Sequence, residues 1–170
     1  MDYNQQKENE LYLSLGSNIG DRKLNLNRAI DYLKENFNCS IQTSSIYQST
    51  AWGFESDSSF LNMCVKIETT FPPTKILQKT QSIENKMGRI RDESGKYIDR
   101  IIDIDLLFYG NRQINTKKIK IPHPLIYDRK FVLIPLLEIA PNLIDPSTGK
   151  GLGVLNKLSN DKSKVILYSN

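Results

Sequence analysis

The sequence predicts an α+β fold, an antiparallel sheet with helices packed on one face, and three observations carry that prediction. Segments of hydrophobic period two and segments of helical period follow one another as strand, helix, strand, strand, helix, strand. The 170 residues contain no internal repeat and no Gly/Ser/Pro-rich linker, which is the length and texture of one domain. Hydrophobic residues at 39% against 25% charged supply a core and exclude wholesale disorder.

The elements justify themselves in order. Residues 1–10 are polar and read as a loose tail. Leu11, Leu13 and Leu15 alternate with Tyr12 and Ser14, which makes a strand. Gly16-Ser17-Asn18-Ile19-Gly20-Asp21 is turn chemistry, with Asn18 or Asp21 as the cap of a helix over 21–36, whose buried face is Leu26, Ala29, Ile30, Leu33 and Phe37. Ile41 to Ser49 is rich in β-branched and aromatic residues, and 60–69 alternates Leu61, Met63, Val65 and Ile67 with Asn62 and Lys66; both read as strands. Between them, 50–59 is a long polar loop around Trp52-Gly53. Pro72-Pro73-Thr74 opens a second helix, marked by Ile76, Leu77, Thr80, Ile83 and Met87 and ending near Gly88. Ile101 to Tyr109 is a strand, and Gly110-Asn111 turns the chain into a short pair built on Ile114, Ile119 and Ile121. Helices are expected at 131–139 and 151–158, and a short terminal strand at Val165-Ile166-Leu167. The order is that of the split βαβ, or ferredoxin-like, βαββαβ core with a C-terminal extension; the domain is expected over 11–158, with 159–170 a tail or short strand.

Composition narrows the function classes. No apolar run approaches the roughly 20 residues of a membrane span, and the polar start offers no secretion signal. Cys39 and Cys64 cannot staple a domain of this size and match no zinc spacing, so a cytoplasmic protein is expected. The net charge of +4 suits an anionic ligand without choosing between a nucleotide and a nucleic acid.

Asp103 and Asp105 are the strongest chemical signal. Two apart on a strand, they share a face about 6.5–7 Å apart. Inside Ile-Ile-Asp-Ile-Asp-Leu-Leu-Phe, two carboxylates cost several kcal/mol through burial and mutual repulsion unless cations meet them. A hard divalent cation such as Mg²⁺ suits them; pairing with arginines on a plain strand face is the other reading. Arg89, Arg91, Lys96 and Arg100 stand in the loop before that strand, a grouping that fits phosphoryl transfer as well as an ordinary solvated loop. Gln81 and Glu84 share a helix face. His123, the single histidine, lies between Pro122 and Pro124, where a structural role competes with a general base. Trp52 and Phe60 flank a loop and are able to stack on a flat ligand or pack into the core. Gly16 to Gly20 links a strand to a helix, yet Asp21-Arg22 follows where a phosphate-binding P-loop needs Lys and then Ser/Thr.

The ordered set resembles the 6-hydroxymethyl-7,8-dihydropterin pyrophosphokinases of folate biosynthesis, from about Leu11 to about Leu158. The matching pieces are Leu15-Gly16-Ser17-Asn18, Phe60-Leu61-Asn62, Gln81-x-x-Glu84 leading to Gly88-Arg89-Ile90-Arg91, and Arg100-x-x-Asp103-x-Asp105-Leu106-Leu107. Ile121-Pro122-His123 and Phe131 through Glu138-Ile139-Ala140-Pro141 complete them. The resemblance implies pyrophosphate transfer from ATP to the pterin hydroxymethyl group with release of AMP, two Mg²⁺ ions on Asp103 and Asp105, and Arg89 and Arg100 as catalytic arginines. It implies ATP contacts or their support at Gln81, Glu84, Arg91, Leu106, Lys118, His123 and Arg129. Thr50, Ala51, Trp52, Gly53, Phe60, Asn62, Asp103 and Phe131 correspond to the pterin pocket. A monomer with no nucleic-acid or membrane partner is the accompanying expectation. Two places depart from the family pattern: Tyr97-Ile98-Asp99 stands where Trp-Gly-Pro is usual, so that Asp99 adds a negative charge near the acid pair, and Pro124 stands where some members have an aromatic. The same order of elements also builds the RNA-recognition motif, but its aromatic-rich strand signature is missing here. A regulatory ligand-binding domain of this fold is a third reading.

Overall fold

In a computed structural model that describes residues 8–90 and 96–169, strand β1 (Asn9–Ser17) is central. It pairs antiparallel with β4 (Phe60–Thr69) on one side and β5 (Asp103–Tyr109) on the other. Strands β2 (Ile41–Thr43) and β3 (Tyr47–Ser49) both pair with β4, and β8 (Val165–Leu167) adds to β3, so the sheet runs β5-β1-β4-β3-β8 with β2 beside β3. A small hairpin, β6 (Ile114–Asn115) with β7 (Lys120–Ile121), stands apart.

The stretch expected as one strand from Ile41 to Ser49 is two. Thr43 lies opposite Val65 and Tyr47 opposite Asn62, so four steps on one side match three on the other. Ser44 causes the break: its hydroxyl accepts the Cys64 N–H at 2.9 Å, a bond the regular ladder would give to a carbonyl.

Helix α1 (Arg22–Phe37) starts where Asp21 accepts the Leu24 N–H at 2.9 Å and stops at Asn38 in the left-handed region. Of the two residues read as caps, Asp21 takes the role. Helix α2 (Pro73–Lys86) has Pro73 in its first turn, where a missing N–H costs nothing. Both helices pack on Leu11, Leu13 and Leu15 of β1 and on alternate residues of β4. These leucines are fully buried, each worth roughly 1.5–3 kcal/mol. Truncating Leu13 to alanine would cost about 2–5 kcal/mol.

The extension forms the other layer. After a 3-10 turn (Ile126–Asp128), α3 (Lys130–Ile139) and α4 (Leu152–Leu158) cover Tyr12, Cys64, Leu107 and Phe108. The βαββαβ core therefore keeps its own two helices on one face, and α3 and α4 bury the face that the polar alternation of Tyr12 and Ser14 would leave to solvent. A bulge at Leu107 shifts the pairing of β5 on β1, so Leu107 and Phe108 both join that second layer.

Candidate active site

Before the bulge, β5 turns Asp103 and Asp105 to the α3 face. Register sets Asp105 opposite Ser14 and Asp103 opposite Gly16, with Asn62 opposite Gly16 on the far side. Over this patch lies a cleft of about 440 Å³, its open mouth included, walled by Thr50, Trp52, Phe60, Asn62, Arg100 and Phe131, with Tyr97 and Arg129 closing it. A second cleft, about 820 Å³ on the same measure, runs beside β5 between α2 and residues 117–124. Gln81, Glu84, Arg89, Leu106, Lys118 and His123 line it. Asp103 and Asp105 are the two residues common to both walls.

Charges interleave at this partition. Asp103 pairs with Arg89 Nη1 at 2.6 Å and Arg100 Nε at 3.1 Å, and Asp105 with Arg129 Nη1 at 3.2 Å. Glu84, fully buried on α2, pairs with Arg89 and also accepts the Ile104 N–H at 2.8 Å, so it ties α2 to β5 and aims Arg89 at Asp103. Three carboxylates and three guanidiniums thus compensate one another, as buried charges must. The Nε atoms of Arg89 and Arg129 are buried without a hydrogen-bond partner, while that of Arg100 stays within ion-pair distance of Asp103.

Burial, then the charge of Asp103, pushes the Asp105 carboxyl well above its usual range, and Arg129 only partly opposes them. Arg89 is held more firmly protonated: burial acts against its charge, but Asp103 and then Glu84 outweigh it. His123 behaves oppositely. Burial and the nearby Arg129 push it down to about 4. Its Nδ1 accepts the Leu125 N–H at 3.2 Å, which places the proton on Nε2, 4.0 Å from Asp105. Its own N–H donates to the Leu107 carbonyl at the bulge (3.0 Å), so β5 fixes the histidine beside the acids.

Aromatic rings face the first cleft. The Arg100 guanidinium lies 5.1 Å from the Phe60 ring centre, and that of Arg129 lies 4.7 Å from Trp52. Arg129 also donates to the Tyr97 hydroxyl at 3.0 Å, and Tyr97 stacks on Phe54 with centroids 6.4 Å apart. Asn62, buried, donates its amide to Ser49 Oγ at 3.0 Å, which fixes its orientation. Asp99 is held elsewhere than the sequence suggests. Its carboxylate accepts from Asn18 Nδ2 and from Ser56 Oγ, both at 2.6 Å, so it staples two loops instead of charging the acid pair. Those bonds draw its pKa down.

The structure gathers most of the residues named from sequence at one of the two clefts, with exceptions. Ala51 and Gly53 lie between wall residues without joining the wall. Gly53 has φ +79° and brings its backbone under the Tyr97 ring. Arg129, grouped with the nucleotide by resemblance, lines the aromatic cleft. Arg91 lies outside the described residues. Sequence reading missed Tyr97, Ser14, Gly16 and Ser49 in the first cleft and Lys117 and Lys120 in the second. The lysines were visible as the run Lys117-Lys118-x-Lys120; the small residues of β1 and β3 carried no chemical signal.

Among the described residues no group of three or more His, Cys, Asp or Glu side chains is set to hold a metal. Two strand carboxylates beside a cleft lined by Arg89, Lys117, Lys118 and Lys120 nonetheless fit Mg²⁺, which takes one or two carboxylates and completes its shell with phosphate oxygens and water.

A carboxylate partition between a basic cleft and an aromatic one, on a sheet of this order, defines a group-transfer enzyme of the phosphoryl-transferring class. Residues 12–141 match the family model for 7,8-dihydro-6-hydroxymethylpterin-pyrophosphokinase, and the chain belongs to that family. It is 43% identical over 142 residues to the 2-amino-4-hydroxy-6-hydroxymethyldihydropteridine pyrophosphokinase of Aquifex aeolicus, covering 84% of this chain and 87% of that one. The Bacillus subtilis protein of the same name is 39% identical over 141 residues, covering 82% and 83%. Among solved structures, an HPPK-DHPS in complex with substrates superposes with a TM-score of 0.71 at 15% identity, over 89% of this chain and 43% of that one. Plasmodium falciparum HPPK-DHPS gives 0.70 at 16%, over 89% and 44%. These two likenesses establish the shared fold, and this chain spans less than half of those longer chains.

Proposed function

We propose that Asp103 and Asp105 are the point where a nucleotide held in the basic cleft and a pterin held in the aromatic cleft exchange a pyrophosphoryl group. The reaction itself is that of the family: pyrophosphate passes from ATP to the hydroxymethyl oxygen of 6-hydroxymethyl-7,8-dihydropterin, giving the pterin diphosphate and AMP in folate biosynthesis. A new bond forms from that oxygen to the β-phosphorus, the bond to the α,β-bridging oxygen breaks, and the hydroxyl proton leaves. The observation that carries the site assignment is that the two acids alone, among the described residues, belong to both clefts.

Asp103 and Asp105 would hold two Mg²⁺ ions, and two carboxylates sharing one strand face, where burial and then the charge of Asp103 raise the Asp105 pKa, support this reading. Held there, such ions would lower the hydroxyl pKa and screen the phosphate oxygens. Arg89 and Arg100, already beside Asp103, supply positive charge where negative charge develops as AMP leaves. Glu84 positions Arg89. Gln81, Leu106 and Lys118 hold the nucleotide, with Arg91 as a further contact by family likeness. His123, neutral with its proton on Nε2, donates into the same cleft. Arg129 spans both sites through Asp105. In the other cleft, Phe60 and Phe131 supply faces for the flat heterocycle and Asn62 its polar match, while Thr50 to Gly53 set the loop path. We take residues 11–158 as the catalytic domain of a cytoplasmic monomer, since both clefts are complete within one chain; no helix among the described residues is long and apolar enough to cross a membrane.

The RNA-binding reading is not favoured. The sheet face such a motif uses is covered by α3 and α4, and Tyr12 is 4% exposed.

The test is release of AMP from ATP, Mg²⁺ and the hydroxymethyl-dihydropterin by the wild type and Asp103→Ala. A loss of about 10²–10⁴-fold is expected, from about 3–5 kcal/mol of transition-state stabilisation. Near-equal rates would remove the acids from the chemistry.

A further inference from the structure

Residues 159–168 lie past the stretch matched by the family model, and none of them lines either cleft. They nevertheless hold the chain beside lining residues of the aromatic one at two places. Leaving α4, the segment first passes the start of α3, where Asp161 Oδ2 accepts the Lys130 N–H at 2.8 Å. Asp161 is itself fixed there, because its Oδ1 accepts the Ser163 N–H at 2.8 Å. A helix cannot satisfy its first N–H groups internally, and α3 has no side-chain cap of its own at Arg129. Asp161 fills that place from 31 residues away. The neighbours of Lys130 are Arg129 and Phe131, both on the cleft wall.

The segment then becomes β8 and closes the outer edge of β3. Val165 lies opposite Ser49, Ile166 opposite Gln48 and Leu167 opposite Tyr47. The Tyr168 N–H donates to the Ile46 carbonyl at 2.9 Å, and its ring packs against the main core. Because ladder bonds alternate along an antiparallel pair, the Ile166 N–H points to β3 as well. Ser49 and Thr50, at the end of β3, line the same cleft as Arg129 and Phe131. A strand of three residues held on one side only would be a weak support for Ser49 and Thr50.

We infer that residues 159–168 are a strap that fixes two separate parts of the aromatic cleft's lining in place, with Asp161 the positioning residue for Arg129 and Phe131 and β8 the brace for Ser49 and Thr50. This rests on the assignment of that cleft to the pterin. A ligand held in a cleft is sensitive to where its lining residues stand, and a displacement of about 1 Å at a reacting site costs on the order of 100-fold. The nucleotide cleft, built from α2, β5 and residues 117–124, contains neither anchor of the strap.

The test uses the full chain and steady-state AMP release, varying each substrate with the other saturating, alongside Tm. Asp161→Ala and Ile166→Pro should each raise the pterin KM about tenfold, with the ATP KM for Ile166→Pro within about twofold of wild type. Asp161→Asn keeps an acceptor for the Lys130 N–H and should restore the pterin KM. An unchanged pterin KM in both impaired variants overturns the strap, as does a rise for both substrates that merely follows Tm. Should Ile166→Pro fail to fold, the Asp161→Ala and Asp161→Asn pair decides alone. Phe60→Ala separates the two claims. If it leaves the pterin KM unchanged, the cleft assignment falls; if it raises that KM while the strap variants do not, only the strap falls.

Discussion

Asn18 grips the main chain of Arg100 from both sides: its N–H donates to the Arg100 carbonyl at 3.1 Å and its side-chain oxygen accepts the Arg100 N–H at 2.7 Å. Its amide nitrogen also donates to Asp99. The turn after β1 therefore aims a guanidinium supplied by residues 82 positions later. Asn18→Asp keeps the acceptor for Arg100 but sets a carboxylate against Asp99, and kcat should fall about 10–100-fold. Adding Asp99→Asn should recover most of it. A double variant as poor as the single one would show that the clasp on Arg100, and not the charge at Asp99, had failed.

Glu84 supports stability and rate together. Glu84→Ala leaves Arg89 buried without one of its partners and Ile104 N–H without its acceptor. Stability should fall by about 3–5 kcal/mol, a drop in Tm of roughly 6–20 °C for a chain of this size. Glu84→Gln retains an acceptor for the Ile104 N–H and should lose less Tm, yet kcat should still drop because Arg89 is no longer held by charge. Thermal melts and AMP release measured on the same samples check both halves.

Much of this was legible because burial leaves a period in the sequence. Leu11, Leu13 and Leu15, and the helical spacing of Leu26, Ala29, Ile30 and Leu33, mark surfaces that have to be covered. Asp103 and Asp105 stood out because acids in a β-branched run need a reason. What stayed hidden depends on partners distant in sequence. Asn18 looks like a helix cap until Arg100 folds beside it. The Ser44 break and the Leu107 bulge are single-residue shifts in register, which hydrophobic alternation averages away. Asp161 is an ordinary polar residue in a polar tail until α3 presents an unpaired N–H.

His123 gives a pH signature. Its ordinary pKa is 6.5 and its folded value is about 4, so the unfolded chain takes up a proton first as pH falls. Folding is unaffected by it above about pH 7, loses stability as pH drops through 6.5, and carries the full penalty below about 4. At pH 5 the cost is roughly 2 kcal/mol. His123→Gln, which cannot charge, should therefore lose less stability than wild type between pH 7.5 and pH 5. Denaturant melts at the two pH values measure the difference, and parallel losses in the two proteins would place the protonated histidine in a solvated setting instead.

Gly16 tests how tightly the aromatic cleft is drawn. A Cβ there would lie 3.2 Å from Asn62 Oδ1 and 3.6 Å from Phe60 Cδ1. Its backbone lies outside the left-handed region, so alanine meets no strain of its own and removes freedom from the unfolded chain. The cost falls on Asn62, whose amide is already anchored to Ser49 and has little room to retreat. Gly16→Ala should keep Tm within a few degrees of wild type while raising the pterin KM about tenfold, since the displaced amide is the group that meets the polar edge of the ligand. The ATP KM should not move, because Gly16 is absent from the nucleotide cleft. Equal pterin KM values would mean that the Asn62 amide yields freely and does not read the heterocycle.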